Sequence, residues 1–200
     1  MNFSSIHTLN KPAHLSLLSQ EDLFIQLSID QIIKGYYSEP VHLQNNVKLL
    51  AHIHQSTRRK VFLESPSLLA ILTNHLLSYI TKEAQNLSFT MAPSKAIFIP
   101  ELKGFLSVQF EVGEWTNETF KLKKYIWKET NLQLLVDIVT IYANNAYISM
   151  PEAFDVFDMQ IGKKIDFKLA EVSSALARVK LVISQSKNKI LQGTFYSFHL

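Results

Sequence analysis

The 200-residue chain has no cysteine. That absence excludes disulfides, thiolate metal sites and cysteine nucleophiles, and leaves no redox clue to compartment. Its five glycines form neither a G-x-G-x-x-G turn nor a Walker loop, and there is no G-x-S-x-G elbow, which disfavours the common nucleotide-dependent folds and elbow-type hydrolases. Arginine is scarce: Arg58, Arg59 and Arg178 are the three among twenty basic residues. Guanidinium is the group suited to bidentate contacts with bases and phosphates, so its scarcity weighs against a nucleic-acid reader. Charged residues make up 18% of the chain, below the roughly one quarter usual for a soluble domain, which points to an extra buried or partner-covered face. Long apolar runs are missing too. The longest, Leu132 to Ala143, is interrupted by Asp137 and is shorter than the roughly 20 residues of a membrane-spanning helix. The first 18 residues lack the continuous apolar core and small-residue cleavage site of a secretory signal. No membrane span is expected, and the expected location is cytoplasmic.

Apolar residues, at 47%, are numerous enough for a chain of this length to bury a sizeable core. The net charge of +3 and pI near 9.0 do not mark a polycation, because residues 1–100 carry eight Lys/Arg against six Asp/Glu and residues 101–200 carry twelve against eleven. The hydrophobic period changes near the middle, from helix-like spacing before Asn86 to strand-like alternation after Ala96. Residues 1–200 therefore read as a single domain with a helical part, 1–86, and a mixed α+β part, 87–200.

Ser19, followed by Glu21 and Asp22, has the hydroxyl cap and first-turn acids of a helix start, and Leu23, Leu27, Ile29, Ile32 and Ile33 supply its stripe, with Gly35 placed to end it. Val47, Leu49, Leu50 and Ile53 indicate a second, short helix, with a strand as the less favoured alternative. Pro66 sits at the first position of a third, whose Leu68, Leu69, Leu72, Leu76, Leu77 and Ile80 run to about Ala84; Ile71 and Tyr79 widen the apolar face, so both sides of this helix are expected to be covered. Ala96 to Ile99 and Leu106 to Val112 then read as an antiparallel hairpin across a Pro100 to Gly104 turn. A second turn at Gly113 to Asn117 leads to a strand from Phe120 to Trp127, placed at a sheet edge because Lys124 breaks its apolar side. In Leu132 to Tyr142, Asn131 could cap a helix, but Val136, Ile138, Val139, Thr140 and Ile141 are β-branched, and a strand is expected. Asn144-Asn145 then forms a turn into Tyr147 and Ile148. Pro151 opens a short helix through Phe157, carrying Asp155 and Asp158, and Asp166 caps a last one with Leu169, Val172, Leu176, Val179 and Ile183 on its core side. Leu191 to Leu200 ends the chain as a strand. The expected fold is α+β: a helical N-terminal part packed on an antiparallel sheet with two further helices.

Candidate chemistry is sparse. The string Ala96-Ile97-Phe98-Ile99-Pro100-Glu101-Leu102-Lys103-Gly104, an apolar strand ending in Glu-x-Lys-Gly, resembles the second half of the PD-(D/E)xK nuclease signature. The resemblance covers those residues alone. It implies that Glu101 would help hold a divalent metal and Lys103 would position or activate the attacking water. Pro100 inside the strand and the lack of aspartate between Asp30 and Pro100 depart from that pattern, leaving Glu64 as the non-helical acid in reach. Six of the seven histidines, His7, His14, His42, His52, His54 and His75, fall in the first 75 residues; His52-x-His54 with His42 could offer three nitrogens to zinc from a strand but would diverge on a helix. They are taken as ordinary polar or capping residues, and no metal or cofactor is expected.

Two basic clusters stand out. Arg58, Arg59 and Lys60 could receive a phosphate or an acidic partner. Lys121, Lys123, Tyr125 and Trp127 share one side of a strand, where exposed aromatics could stack single-stranded bases; the nearby Glu111, Glu114, Glu118 and Glu129 would instead make it a salt-bridged sheet face, with lysine stems covering the aromatics. Charge scarcity, thirteen phenylalanines and seven tyrosines, and the lack of a convergent polar set favour a non-enzymatic protein–protein interaction module: an adaptor or structural subunit of a larger bacterial or phage assembly, whose partner is another protein or a second copy. The alternative is a metal-dependent nuclease or nucleic-acid-binding protein.

Overall fold

The computed structural model describes residues 19–58, 60–83, 88–90, 96–108, 110–116, 119–128, 131–185 and 195–198. Four helices come first, α1 (Gln20–Ser38), α2 (Asn46–Ser56), α3 (Lys60–Glu64) and α4 (Pro66–Glu83). Strands follow: β1 (Ser88–Thr90), β2 (Ile97–Ile99), β3 (Gly104–Val108), β4 (Val112–Thr116) and β5 (Thr119–Ile126). Helix α5 (Leu132–Ala146), strands β6 (Ala153–Asp158) and β7 (Lys163–Phe167), helix α6 (Val172–Gln185) and strand β8 (Phe195–Phe198) complete the described chain. It is an α+β fold with a helical N-terminal part. The main sheet has five strands in the order β1-β4-β5-β6-β7, and β2, β3 and β8 form a second sheet.

Local chemistry explains the helix starts. Ser19 accepts a hydrogen bond from the Asp22 amide at 3.1 Å while the Asp22 carboxylate reaches back to the Ser19 amide, closing a capping box. Helix α1 does not stop at Gly35. It runs to Ser38 and yields at Glu39-Pro40, where the ring disfavours helix at the preceding residue. Gly35 serves a close approach instead, since a Cβ there would lie 2.6 Å from the His52 ring of α2.

Several assignments differ from the sequence expectation. Leu132 to Tyr142 is helical: Asn131 caps it, accepting from the Leu134 amide at 2.9 Å. Nine consecutive residues, Leu135 to Ala143, are buried, so a helix enclosed on every side outweighs β-branched propensity and shows no polar face. Asn144 and Asn145 belong to its last turn rather than to a hairpin, and Tyr147 follows as its extended C-cap. Residues after Pro151 form strand β6, not a helix, because they complete a crossover: β5, α5 and β6 make a parallel pair, Lys121 to Ile126 against Ala153 to Asp158. The main sheet is therefore mixed, with the remaining ladders antiparallel. Finally, β5 is the central strand, not an edge. Asp166 lies on β7, and α6 begins beyond it at Val172. Val112, expected to end the hairpin strand, and Gly113 to Thr116 of the expected Gly113 to Asn117 turn instead form β4, which leaves the β2–β3 hairpin for the main sheet. Of the expected last strand, Phe195–Phe198 is described, and pairs parallel to β3.

Two cores lie on opposite faces of the main sheet. Ile29, Ile32, Ile33, Leu49, Phe62, Leu72 and Leu76 from the N-terminal helices pack with Val112, Tyr125 and Phe157. On the other face Leu122, Ile126, Phe154 and Val156 meet Leu135, Ile138, Val139 and Ile141 of α5, with α6 and the β2–β3 hairpin packed around that helix. Burial of each such side chain contributes on the order of 1.5–3 kcal/mol. No helix among the described residues is long and apolar enough to cross a membrane.

Candidate functional site

Strand alternation sends successive β5 side chains to opposite cores. Tyr125 enters the helical core, while Leu122 and Ile126 face α5. The adjacent Lys123 and Lys124 thus point to opposite faces, and both are buried. Each has its own carboxylate. Lys123 pairs with Glu114 of β4, and Lys124 donates to Glu111 Oε1 at 2.8 Å. A lysine in a central strand is tolerable for that reason, since an uncompensated ammonium there would be strongly destabilising. The second oxygen of Glu111, Oε2, is buried without a hydrogen-bond partner among the described residues. Burial pushes the Glu111 carboxyl up to about 7; Asp30 of α1 adds to the rise and Lys124 opposes it.

A second charged cluster lies at the β6–β7 edge. Asp155 and Asp166 face each other in the antiparallel register, with Lys164 Nζ 2.9 Å from the first and 3.2 Å from the second. The same ammonium stands 5.5 Å from the centroid of the Phe157 ring. Burial raises Asp155 above the usual aspartate range. Burial also pulls Asp166 upward, but hydrogen bonds with Lys164 and Asp155 outweigh it and hold that carboxyl low. Of the two carboxyls, Asp155 is therefore the one that takes up a proton first as pH falls. Two carboxyl groups with acidities driven apart can divide acid and base roles, and this pair reaches solvent through Asp166, whose side chain is 68% exposed.

The residues singled out from the sequence are distributed as follows. Glu101 and Lys103 occupy an exposed turn between β2 and β3, with Lys103 in the left-handed region at φ 51°. Arg58 is exposed, its guanidinium 3.3 Å from His54 Nε2; Lys60 pairs with Glu64 one turn on, at 3.4 Å; Arg59 lies outside the described residues. Lys121, Lys123, Tyr125 and Trp127 share one face of the β5 segment, and α1 covers its Tyr125–Trp127 end. Gln26 of α1 donates to the Tyr125 carbonyl at 2.8 Å and accepts from the Trp127 amide at 2.7 Å. The Trp127 indole N–H donates to Asp22 at 3.2 Å. The Tyr125 ring stacks on Phe157 at 4.7 Å, and its hydroxyl meets that of Tyr37. Base stacking on these two aromatics would require α1 to leave the sheet. His52 contacts Glu39 at 3.3 Å, and His75 Nδ1 donates to the Met159 carbonyl at 2.8 Å. No group of three or more His, Asp and Glu among the described residues is arranged to hold a metal ion; His7 and His14 lie outside those residues.

Some features escaped the sequence. Arg178 of α6 makes a bidentate contact with Asp137 of α5, both at 2.7 Å. A lone carboxylate inside an apolar run was the available signal, together with one of only three arginines. Large apolar side chains are exposed along the helical layer: Phe24 and Leu27 on α1, Val47 and Leu50 on α2, Leu63 on α3 and Ile71 on α4. Exposed Trp115 stacks on Phe89 at the β1–β4 side of the main sheet. No protein-family model matches the chain, and no curated protein matches it significantly.

Proposed function

We propose that the chain is a non-enzymatic protein–protein interaction module, an adaptor or structural subunit of a larger cytoplasmic assembly of bacterial or phage type, which meets its partner through the outer face of the helical layer. One observation carries this reading: all four N-terminal helices leave a large apolar side chain in solvent, with Val47 76% and Leu63 72% exposed. Single exposed apolar residues are ordinary on a monomer, but their recurrence on successive helices of one layer is the pattern of a covered surface. On the opposite side of the fold, α6 leaves only Leu181 comparably exposed among its described residues. Charged residues elsewhere support the reading from the other direction, because Lys123, Lys124 and Lys164 of the sheet and Arg178 of α6 are engaged by carboxylates of the same chain.

The test places a photo-crosslinking residue at Val47, Leu63 or, as control, Leu181, in cells that produce the protein. Discrete adducts at the first two positions that disappear in Leu50→Asp, with none at Leu181, support a defined protein contact; equal diffuse labelling at all three sinks it. The adduct mass separates a second copy of the chain from a different protein. The alternative of a metal-dependent nuclease rests on Glu101 and Lys103, and nothing in their exposed turn favours it over the interaction reading. Magnesium- or manganese-dependent cleavage of DNA or RNA that vanishes in Glu101→Ala would reverse that preference.

A further inference from the structure

We propose that helix α2 docks an acidic amphipathic segment of another protein: apolar side chains of that segment seat on Val47 and Leu50, and its carboxylate is taken by Arg58. The assignment rests on the partner contact proposed above for the helical layer and gives that contact a chemistry. Val47, Leu50, Ala51 and His54 are spaced three and four residues apart, so they share one face of α2. All four are exposed, while Leu49 and Ile53 on the other face are buried. Arg58, just beyond the helix end, folds its guanidinium back onto the exposed face, 3.3 Å from His54 Nε2. The stripe is thus apolar where it begins and basic where it ends, over about 10 Å of helix from Val47 to His54.

The charge on this face calls for an acid from outside the chain. Helix α2 contains no Asp or Glu. The acids that flank it in sequence are engaged elsewhere, Glu39 with Lys48 and His52, and Glu64 with Lys60. A guanidinium presents a fork of donors that matches a carboxylate in two hydrogen bonds. Arg178 is used in that way, on Asp137. Arg58 instead meets an imidazole nitrogen, and no carboxylate among the described residues forms an ion pair with it.

A second copy of the chain does not fit the stripe. A two-fold contact of α2 with itself brings no carboxylate to Arg58: run antiparallel, it sets the apolar end on the basic end, and run parallel, guanidinium on guanidinium. Nucleic acid fits half of it, since a phosphate would satisfy Arg58 but leave Val47 and Leu50 against a polar backbone. A helix with apolar residues at i and i+3 or i+4 and an Asp or Glu at about i+7 matches the whole stripe.

The experiment uses the full chain in cells that produce it, with a photo-crosslinking residue at position 47 and Arg58 kept or changed to Lys, Gln or Glu. Adduct yield should fall in that order, by about tenfold or more for Arg58→Glu, because like charges set against each other are strongly unfavourable. The partner peptide joined to position 47 should carry an Asp or Glu about two helical turns from the joined residue, and changing that acid to lysine should restore the adduct with Arg58→Glu. Arg58→Gln, which places no negative charge at the end of α2, keeps the test decisive if Arg58→Glu lowers the denaturant midpoint. An adduct unmoved by Arg58→Gln and Arg58→Glu, a joined peptide with no acid in that reach, or a joined second copy would each overturn the acidic partner while the protein contact stands. Joined nucleic acid, or no adduct at either Val47 or Leu63, would remove both.

Discussion

Helices cover both faces of the main sheet, but they are attached in different ways. Helix α5 lies against its face through nine consecutive buried residues, almost all apolar, and its one buried acid is satisfied sideways by Arg178 of α6. Helix α1 is fastened by directed polar contacts: Gln26 to the β5 backbone, Asp22 to the Trp127 indole, and the Tyr37 hydroxyl to that of Tyr125. Apolar packing tolerates small shifts and substitutions that conserve volume, whereas hydrogen bonds to fixed backbone groups specify one position. Adjacent lysines of β5 serve the two faces separately, Lys123 toward α1 and Lys124 toward α5. The difference teaches that α5 is held almost entirely by burial, whereas α1 adds directed polar contacts to the burial of Ile25, Ile29, Ile32 and Ile33.

The sharpest way to break this arrangement is at Lys123. Replacing it by methionine leaves the Glu114 carboxylate buried without its cation and should cost about 3–5 kcal/mol, seen as a lower denaturant midpoint. The double variant Lys123→Met with Glu114→Leu should recover most of that loss; if it does not, Glu114 is not the charge that Lys123 neutralises. On the other face, Ile138→Ala should cost roughly 3 kcal/mol through lost burial and a cavity, with little change in the relative exchange of Trp127. Gln26→Ala should cost about 1–3 kcal/mol by removing the acceptor of the Trp127 amide and a donor to the Tyr125 carbonyl. It differs from Ile138→Ala in kind: exchange at Trp127 should accelerate more than exchange at the α5 amides. Equal acceleration in both variants would erase the distinction between the two faces. The smallest effect is expected at Ser19→Ala, about 1 kcal/mol from the lost N-cap, confined to the first turn of α1 and read from the exchange of Asp22.

Much of the fold was legible because it depends on short-range chemistry. The Ser19 cap, the Pro66 start and the β2–β3 hairpin stand where the residues placed them. The β5 alternation was legible too, but its setting was not. Lys124 indicated an edge when taken alone, and Glu111 alters its meaning only once β4 lies alongside. Within the candidate site, strand alternation puts Lys121, Lys123, Tyr125 and Trp127 on one side of the β5 segment. That α1 would cover that side depends on Gln26, which lies 99 residues before Tyr125. Nothing in the local pattern around Gln26 distinguishes it from any other helical glutamine. The pairing of Asp155 with Asp166 was hidden by reading Phe154 to Phe157 as a helix.

By itself, the sequence determined the absence of thiol chemistry and of glycine-rich phosphate loops, the division into a helical first part and a mixed second part, and the helix starts at Ser19 and Pro66. Caps, prolines and alternation act within a few residues and need no distant partner. Tertiary structure alone decided that Leu132 to Ala146 is a helix, that Ala153 to Asp158 is a strand parallel to β5, and which carboxylate meets each buried lysine. A helix enclosed on every side loses its polar face, so periodicity cannot announce it. A buried charge is tolerated or ruinous according to a group delivered by another element, and only the folded chain brings the two together.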